Sequence, residues 1–217
     1  MCFVAMRSVE LLFLLALVGL QPVAALDAWR LVWQDEFDGS QLDADKWVHV
    51  GGGNGFGNQE LEYYTDRLEN VRVENGMLIL KAIKETYTGP DGVRRRFTSG
   101  RIRTEGKFSQ AYGRFEARIK IPYGQGLWPK FWMLGDGSAP CPACGEIDIM
   151  ENSGRAPSSV HGTIHGPNHS GEAAIGGSYA LPAGGRFSDD FHVYAIEWVP
   201  GEIRWYVDDV RYHTSVR

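Results

Sequence analysis

The chain lacks several features that would point to particular classes of protein. Only three cysteines occur in 217 residues, the longest basic run is the three arginines at 94–96, and the formal net charge is −5. Nucleic acids and anionic membrane surfaces attract basic patches, so we expect neither as a partner. The strongest apolar run, residues 11–20, is about ten residues long, roughly half of what a membrane span needs. Helical periodicity is almost absent after residue 26, which argues against a mainly helical fold.

The first 25 residues have the composition of a secretory signal peptide. One positive charge, Arg7, precedes the apolar run, and the small residues Val23 and Ala25 follow it. A charged start, a short apolar stretch and a small-residue cleavage site are the parts of such a peptide. We therefore expect export to the extracellular space or the periplasm, removal of residues 1–25, and no membrane attachment afterwards. An N-terminal membrane anchor is the alternative.

Residues 26–217 are numerous enough for one domain with a substantial core. Short runs of β-branched and aromatic residues recur between clusters of glycine, proline and aspartate. This pattern is typical of an all-β sandwich or barrel. Charged and apolar residues alternate strictly over 113–121, which predicts a strand with one wet face and one buried face. We expect further strands at 77–84 and in a meander over 193–198, 203–207 and 210–213.

Two cysteines, Cys141 and Cys144, remain once residues 1–25 are set aside. In an exported chain these two residues can form a disulfide. Their spacing, followed by His161 and His165, also resembles a zinc site. A zinc finger needs its two histidines on a helix, whereas residues 160–165 alternate like a strand, so we favour the disulfide.

Three acidic residues lie close together in the segment 145–152. Glu146 and Asp148 are two positions apart, so on a strand they point to the same face. Glu151 is five positions from Glu146, which would turn it toward the apolar face, where an unpaired carboxylate is costly. A β-bulge around residues 149–150 would return all three acids to one face.

Clustered carboxylates repel one another and therefore call for an explanation. Retaining glycosidases use such a pair, a nucleophile and an acid/base about 5–5.5 Å apart. Glu146 and Glu151 on either side of a bulge could meet that separation. An acidic solvated strand or a calcium site would also fit three acids, and the residues alone leave these alternatives open.

The segment Gly-Glu-Ile-Asp-Ile-Met-Glu at 145–151 resembles the signature of glycoside hydrolase family sixteen. It has the bulged form, Glu-x-Asp-x-x-Glu, that is found in laminarinases of that family. Further segments that resemble the family extend over nearly the whole chain after residue 26: 31–39, 57–65, 112–118, 126–134, 161–167 and 191–198.

The resemblance implies a β-jelly-roll of two antiparallel sheets, one of them concave and open to a polysaccharide. It implies that Glu146 is the nucleophile, Glu151 the general acid/base and Asp148 an assisting carboxylate. The expected activity is retaining hydrolysis of internal β-1,3 bonds in a laminarin-like β-glucan, by a monomer without a catalytic cofactor. Alternatives are a hydrolase of mixed-linkage β-1,3-1,4-glucan or another polysaccharide, and a non-catalytic β-glucan-binding protein.

The resemblance also assigns aromatic, polar and histidine side chains to substrate binding: Asn58, Glu60, Arg101, Trp128, Trp132, His161 and His165. The two tryptophans are four positions apart, so on a strand they would face one way as a platform for sugar rings. Core packing is their alternative role, and a hydrogen-bonded structural role is the alternative for the histidines. Two later tryptophans, Trp198 and Trp205, are expected in the core.

Family members usually continue for several strands beyond the point that corresponds to Arg217. We therefore expect 26–217 to be a catalytic domain that is incomplete at its C-terminus. The resemblance further implies a structural calcium site, of which Glu36 would provide one half and the later strands the other.

Overall fold

The structure, a computed structural model, describes residues 29–216 except the side chain of Ala183, and also the backbone of residues 2–5. Regular structure in these residues consists of strands and two 3-10 helices, Gly171–Ala173 and Pro182–Gly184. The strands, numbered along the chain, are β1 (Cys2–Ala5), β2 (Val48–His49), β3 (Glu62–Tyr64), β4 (Val71–Val73), β5 (Leu78–Leu80), β6 (Ile83–Thr88), β7 (Arg94–Ser99), β8 (Ile102–Arg103), β9 (Gly113–Lys120), β10 (Lys130–Leu134), β11 (Glu146–Glu151), β12 (Ser159–His165), β13 (Ile175–Ala180), β14 (His192–Val199), β15 (Glu202–Val207) and β16 (Val210–Val216).

Two sheets dominate the fold. The larger has seven strands in the order β16-β15-β14-β9-β1-β5-β4, and the smaller has four in the order β10-β11-β12-β13. A three-stranded sheet, β3-β7-β6, and a two-stranded sheet, β2-β8, complete the pairing. Neighbouring strands are antiparallel except β3 and β7, which run parallel. The predicted all-β architecture is therefore confirmed.

Strand β9 illustrates how the sequence pattern produces burial. Its apolar residues Ala117 and Ile119 are 0% and 1% exposed, and Ile121 just beyond it is also buried. The charged residue Arg114 on the other face forms ion pairs with Glu116 and with β14 and the turn after β15. The alternation predicted for 113–121 is confirmed, and it places β9 in the middle of the larger sheet between β1 and β14.

The two large sheets pack face to face, with β11 against β14 and β13 against β16. Full burial of a large apolar side chain stabilises the fold by about 1.5–3 kcal/mol. The indole nitrogen of Trp205 in this core donates to the backbone oxygen of Asp148 at 2.9 Å, which ties β15 to β11. The main core cluster consists of Ala117, Ile119, Ile121, Ile147, Ile149, Met150, Val160, Phe187, Tyr194, Ile196, Ile203, Trp205 and Val207.

The prediction of one continuous strand over 77–84 was wrong. The chain forms β5 and β6 instead, with exposed residues Lys81 and Ala82 between them. The side-chain amide of Asn70 donates to Lys81 O, and Lys81 N donates to Asn70 O. These bonds hold the chain where it leaves the larger sheet for the three-stranded one. The meander predicted from residue 193 onward is confirmed as β14, β15 and β16.

The predicted signal peptide, residues 1–25, lies outside the described residues except for the backbone of 2–5. That short segment, β1, pairs with β5 on one side and β9 on the other. The signal peptide, and with it the division at residue 26, stays a prediction. No helix among the described residues is long and apolar enough to cross a membrane.

Candidate active site

Strand β11 contains the predicted β-bulge. On its β12 side Asp148 pairs with Thr163, and the next registered pair is Glu151 with His161. Thr163 and His161 are two positions apart on β12, whereas Asp148 and Glu151 are three positions apart on β11, so β11 has one extra residue there. Ile149 and Met150, which occupy the bulge, are both buried. Glu151 thereby returns to the face that carries Glu146 and Asp148.

All three carboxylates converge on the ammonium group of Lys130, the first residue of β10. Lys130 Nζ lies 3.6 Å from Glu146 Oε1, 3.4 Å from Asp148 Oδ1 and 2.9 Å from Glu151 Oε1. Glu146 Oε1 and Glu151 Oε1 are therefore no farther apart than the sum of their two distances to Lys130 Nζ. The sequence pattern put Lys130 between two tryptophans but did not reveal that it would meet the acids.

Asp148 is fully buried and is held by both neighbouring elements. Its Oδ2 accepts a hydrogen bond from Thr163 Oγ1 at 2.5 Å and lies 3.1 Å from His165 Nε2. Its backbone oxygen accepts the indole N–H of Trp205. Oδ1 has no hydrogen-bond partner in the described structure and faces Lys130 at 3.4 Å. Asp148 is thus held firmly at the centre of the site.

The charges of this group act on one another. Burial, followed by the charge of Asp148, raises the pKa of Glu146 above its ordinary value. Burial works against a charged Lys130, but the three carboxylates outweigh it and raise the pKa of the ammonium. Lys130 is therefore protonated throughout the neutral range, and Glu146 holds its proton more tightly than a solvated glutamate does.

Cations and aromatic rings form the wall beside the acids. The Arg101 guanidinium lies 5.0 Å from the ring centre of Trp132, and Lys130 Nζ lies 5.1 Å from the same ring. Lys130 Nζ also lies 4.7 Å from the ring centre of Trp128, whose side chain is 45% exposed. Trp128 therefore offers apolar surface to a ligand, while Trp132 is contacted by two cations.

A polar contact extends this wall. Tyr64 donates its hydroxyl to Glu60 Oε2 at 2.7 Å, and burial followed by this hydrogen bond raises the pKa of Tyr64. Arg101 lies 5.7 Å from the Tyr64 ring centre. His161 is exposed at the strand position opposite Glu151. A cavity of about 2390 Å³ is lined, with Glu146, by Asn58, Glu60, Arg101, Trp128, Trp132 and His165.

Two places in the chain bear on metal ligation, the acidic cluster and Glu36. Among the residues that the structure describes, one group brings together three donor atoms of a kind that binds metals, those of Glu146, Asp148 and His165, within 4.8 Å. The Lys130 ammonium already supplies positive charge there, so we assign no ion to it. Glu36 is not part of that group, and its role in a calcium site stays a prediction.

The cysteine pair lies in the loop between β10 and β11. Cys141 and Cys144 form a disulfide across a sequence separation of three. Their sulfurs are therefore not available to zinc, and His161 and His165 lie on strand β12 rather than on a helix. The zinc alternative is thus excluded, and the disulfide closes a short turn at the end of the loop, two positions before Glu146.

Comparison with known proteins gives a consistent family. The family model described as glycosyl hydrolases family 16 matches residues 58–217. A β-glucanase of Rhodothermus marinus is 52% identical over 193 residues, which cover 85% of this chain and 65% of the relative. A glucan endo-1,3-β-glucosidase A1 of Niallia circulans is 41% identical over 204 residues, which cover 88% of this chain and 30% of that protein.

A solved structure agrees with the sequence comparison. The laminarinase catalytic domain from Thermotoga maritima superposes with a TM-score of 0.82 at 48% identity, covering 88% of this chain and 78% of that one. The superposition shows that the two chains share the same fold. The chain belongs to family 16 of the glycosyl hydrolases.

Proposed function

We propose that the chain is an endo-acting glycosidase that hydrolyses internal β-1,3 bonds of β-glucans with retention of configuration. The observation that carries the proposal is the convergence of Glu146 and Glu151 on Lys130, at 3.6 and 2.9 Å. An inverting enzyme needs about 6.5–9.5 Å between its carboxyls to hold a water, whereas a retaining enzyme needs about 5–5.5 Å. The sum of the two distances to Lys130 is an upper limit on the separation of these two carboxylate oxygens, and it lies at the lower end of the range that inverting enzymes need.

The proposed reaction has two displacements. A carboxylate oxygen of Glu146 forms a bond to the anomeric carbon while the glycosidic C–O bond breaks and Glu151 protonates the departing oxygen. Glu151 then takes a proton from water, whose oxygen attacks the same carbon and releases Glu146. Thr163 and Trp205 fix Asp148, so the carboxyl group beside the nucleophile stays in one position throughout the reaction.

The proposed substrate follows from the cavity and from the relatives. The cavity of about 2390 Å³ is lined by Glu146 together with Trp128 and Trp132, so a polymer bound there would meet the proposed nucleophile. The exposed ring of Trp128 suits the flat face of a sugar. The related proteins are named as a β-glucanase, a glucan endo-1,3-β-glucosidase and a laminarinase, which supports a β-1,3-glucan.

The first test is the release of reducing ends from laminarin, curdlan and mixed-linkage barley glucan. We expect internal cleavage of laminarin, and a loss of at least about a thousandfold in kcat for Glu146→Gln, because the nucleophile is removed. Glu172→Gln, an exposed change in the 3-10 helix Gly171–Ala173, is the matched control. A folded chain that cleaves none of the three polymers would contradict the glucanase assignment and favour a binding role.

The stereochemistry is tested separately. Proton NMR of the first product should show the β-anomer before mutarotation, because two displacements restore the starting configuration. If the α-anomer appears first, the double displacement is wrong even though the chain is a glycosidase.

We also propose that the protein is exported, acts as a monomer and needs no catalytic cofactor. The signal-like composition of residues 1–25 supports export. Mature protein recovered from the medium should begin at Leu26 and elute as a monomer, and its kcat should be unchanged by a chelator. Recovery of the intact chain from cells alone would argue against export.

A further inference from the structure

Lys130 lies outside the acidic motif, on the strand next to it. It begins β10 and is the direct strand partner of Glu151 on β11. Its side chain is 18% exposed, and its ammonium forms ion pairs with Glu146, Asp148 and Glu151. Only the contact with Glu151 is within ordinary hydrogen-bonding distance. The ammonium thus touches both members of the proposed catalytic pair from one side.

Other charged and titratable groups surround this cluster from two further elements. On β12, His165 Nε2 lies 3.1 Å from Asp148 Oδ2, and His161 is the strand partner of Glu151. Arg101, just before β8, is separated from the cluster by the ring of Trp132, near which both it and Lys130 lie. Lys130 is therefore the cation that contacts the acids directly.

The negative charge in such a site moves during a double displacement. The proposed mechanism begins with the charge on Glu146 and the proton on Glu151. After the first displacement Glu146 is esterified and neutral, and Glu151, which has given its proton to the departing oxygen, carries the charge. The total is unchanged, but one unit of charge has crossed from one carboxyl to the other. A cation beside both carboxyls remains next to the charge before and after the step.

We propose that Lys130 is a positioning residue for this reaction, a shared counter-ion that contacts Glu146 and Glu151 and stabilises whichever of them is ionised. The proposal rests on the proposed function, because it assumes that these two carboxyls exchange charge. It goes further by giving a role in both half-reactions to a residue outside the acidic motif.

A purely structural ion pair would have different consequences. Three carboxylates on one strand face repel one another, so a neighbouring ammonium stabilises the fold in either case. Loss of a structural counter-ion would lower the melting temperature and leave the pH dependence of turnover where it was. A shared counter-ion also favours ionised Glu146, so its loss must move the acidic limb of the pH profile.

The test compares Lys130→Met and Lys130→Gln, which remove the charge, with Lys130→Arg, which keeps it. We expect kcat on laminarin to fall roughly tenfold or more in the neutral variants while KM changes little, since the charge acts on the reacting groups. The acidic limb of kcat/KM should move to higher pH by about one unit, the effect of one nearby charge. Lys130→Arg should recover most of the turnover, and Lys84→Met, an exposed lysine on β6, is the control.

A second readout does not depend on activity. Carboxyl carbon-13 NMR, with the Glu146 signal assigned from Glu146→Gln, should show Glu146 titrating at higher pH in both neutral variants than in the parent. If one neutral variant does not fold, as judged by tryptophan fluorescence, the other carries both measurements, and Lys130→Arg reports on the requirement for charge.

The outcomes separate the two proposals. An inactive parent in which the Glu146 titration still shifts on loss of Lys130 would overturn the proposed glucanase and leave the electrostatic role intact. An active parent whose neutral variants keep both the pH profile and the Glu146 titration would overturn the role of Lys130 and leave the glucanase intact. A fall in kcat without any shift would reduce Lys130 to a structural contact.

Discussion

At the scale of single residues, Glu146 occupies an environment that disfavours the ionised state required by its proposed role as nucleophile. Burial and the neighbouring Asp148 raise its pKa, while Lys130 acts in the opposite direction. A nucleophilic carboxylate must be ionised, so the fold holds Glu146 in a partly unfavourable charged form at neutral pH. Activity and stability are therefore opposed at this position.

The first prediction concerns stability. A group whose pKa is raised in the folded state contributes stability below its unfolded pKa and loses it as the pH rises through the folded pKa. Glu146→Gln stays neutral at every pH, so it should melt at a higher temperature than the parent at pH 7, by roughly 2–4 °C for each kcal/mol gained. The advantage should vanish near pH 3. Calorimetry at the two pH values checks this, and a variant that melts lower at pH 7 would contradict it.

The second prediction concerns pH dependence. After burial, the charge of Asp148 is the largest cause of the raised pKa of Glu146, so Asp148→Asn should lower that pKa and move the acidic limb of kcat/KM to lower pH. This direction is opposite to that expected for loss of the Lys130 charge. kcat should fall as well, because the amide alters the contacts with Thr163 and His165. A limb that stays in place, measured on laminarin, would mean that Asp148 does not act on Glu146 through charge.

At the scale of elements, the site depends on one close approach between the two sheets. Gly162 on β12 lies under the Trp205 ring: a Cβ added there would be 2.2 Å from Trp205 Cδ1 and 2.6 Å from the Tyr212 hydroxyl oxygen. Contacts this short cannot exist, so the ring would have to move. The same ring donates the hydrogen bond to Asp148 O that holds β11. The absence of a side chain at Gly162 thus leaves the space in which the Trp205 ring connects the two sheets.

The third prediction follows from the close contact of Gly162 with Trp205. Gly162→Ala should destabilise the fold by about 1–3 kcal/mol, because the added methyl group would overpack the core and strain the hydrogen bond from the Trp205 indole. It should also lower kcat, since Asp148 loses its backbone anchor. Gly137→Ala is the control, because no atom lies within 4 Å of its added Cβ and its φ is not in the left-handed region. Urea unfolding of both variants measures the difference, and equal midpoints would show that the sheets can shift without loss.

At the scale of the whole molecule, the two large sheets have separate tasks. The four-stranded sheet carries Lys130, the three acids and both histidines, while the seven-stranded sheet supplies most of the core. Strand β1 belongs to the second sheet and pairs with β5 and β9. It lies within the segment that the sequence predicts to be a signal peptide.

The fourth prediction uses this separation. The signal-peptide prediction and the pairing of β1 lead to different expectations for a chain without residues 1–25. Its KM should be unchanged in either case, because β1 pairs with no strand of the site sheet. It should melt at a lower temperature only if β1 belongs to the folded protein and is not removed on export. The pairing of β5 and β9 through β1 would be lost, and unpaired strand edges are also prone to association. Melting curves and light scattering of the two chains test this. Identical melting temperatures would show that β1 contributes nothing to the stability of the sheet.

Much of the fold could be predicted from local pattern. Alternation identified β9 and the β14–β16 meander, and the odd spacing of Glu146 and Glu151 identified the bulge, because an unpaired carboxylate does not remain in an apolar core. The break between β5 and β6 was missed, since it depends on bonds from Asn70, eleven residues before Lys81. Local pattern cannot register such a contact.

The sequence by itself determined the all-β class, the family and the common face of the three acids, and it favoured the pairing of Cys141 with Cys144. Each of these depends on residue types at short spacing, which strand geometry converts directly into faces and contacts. Only the tertiary structure decided that Lys130 meets all three acids and that Trp205 anchors Asp148 over Gly162. Those contacts depend on the register between β10 and β11 and on the distance between two sheets, which are set by packing of the whole core.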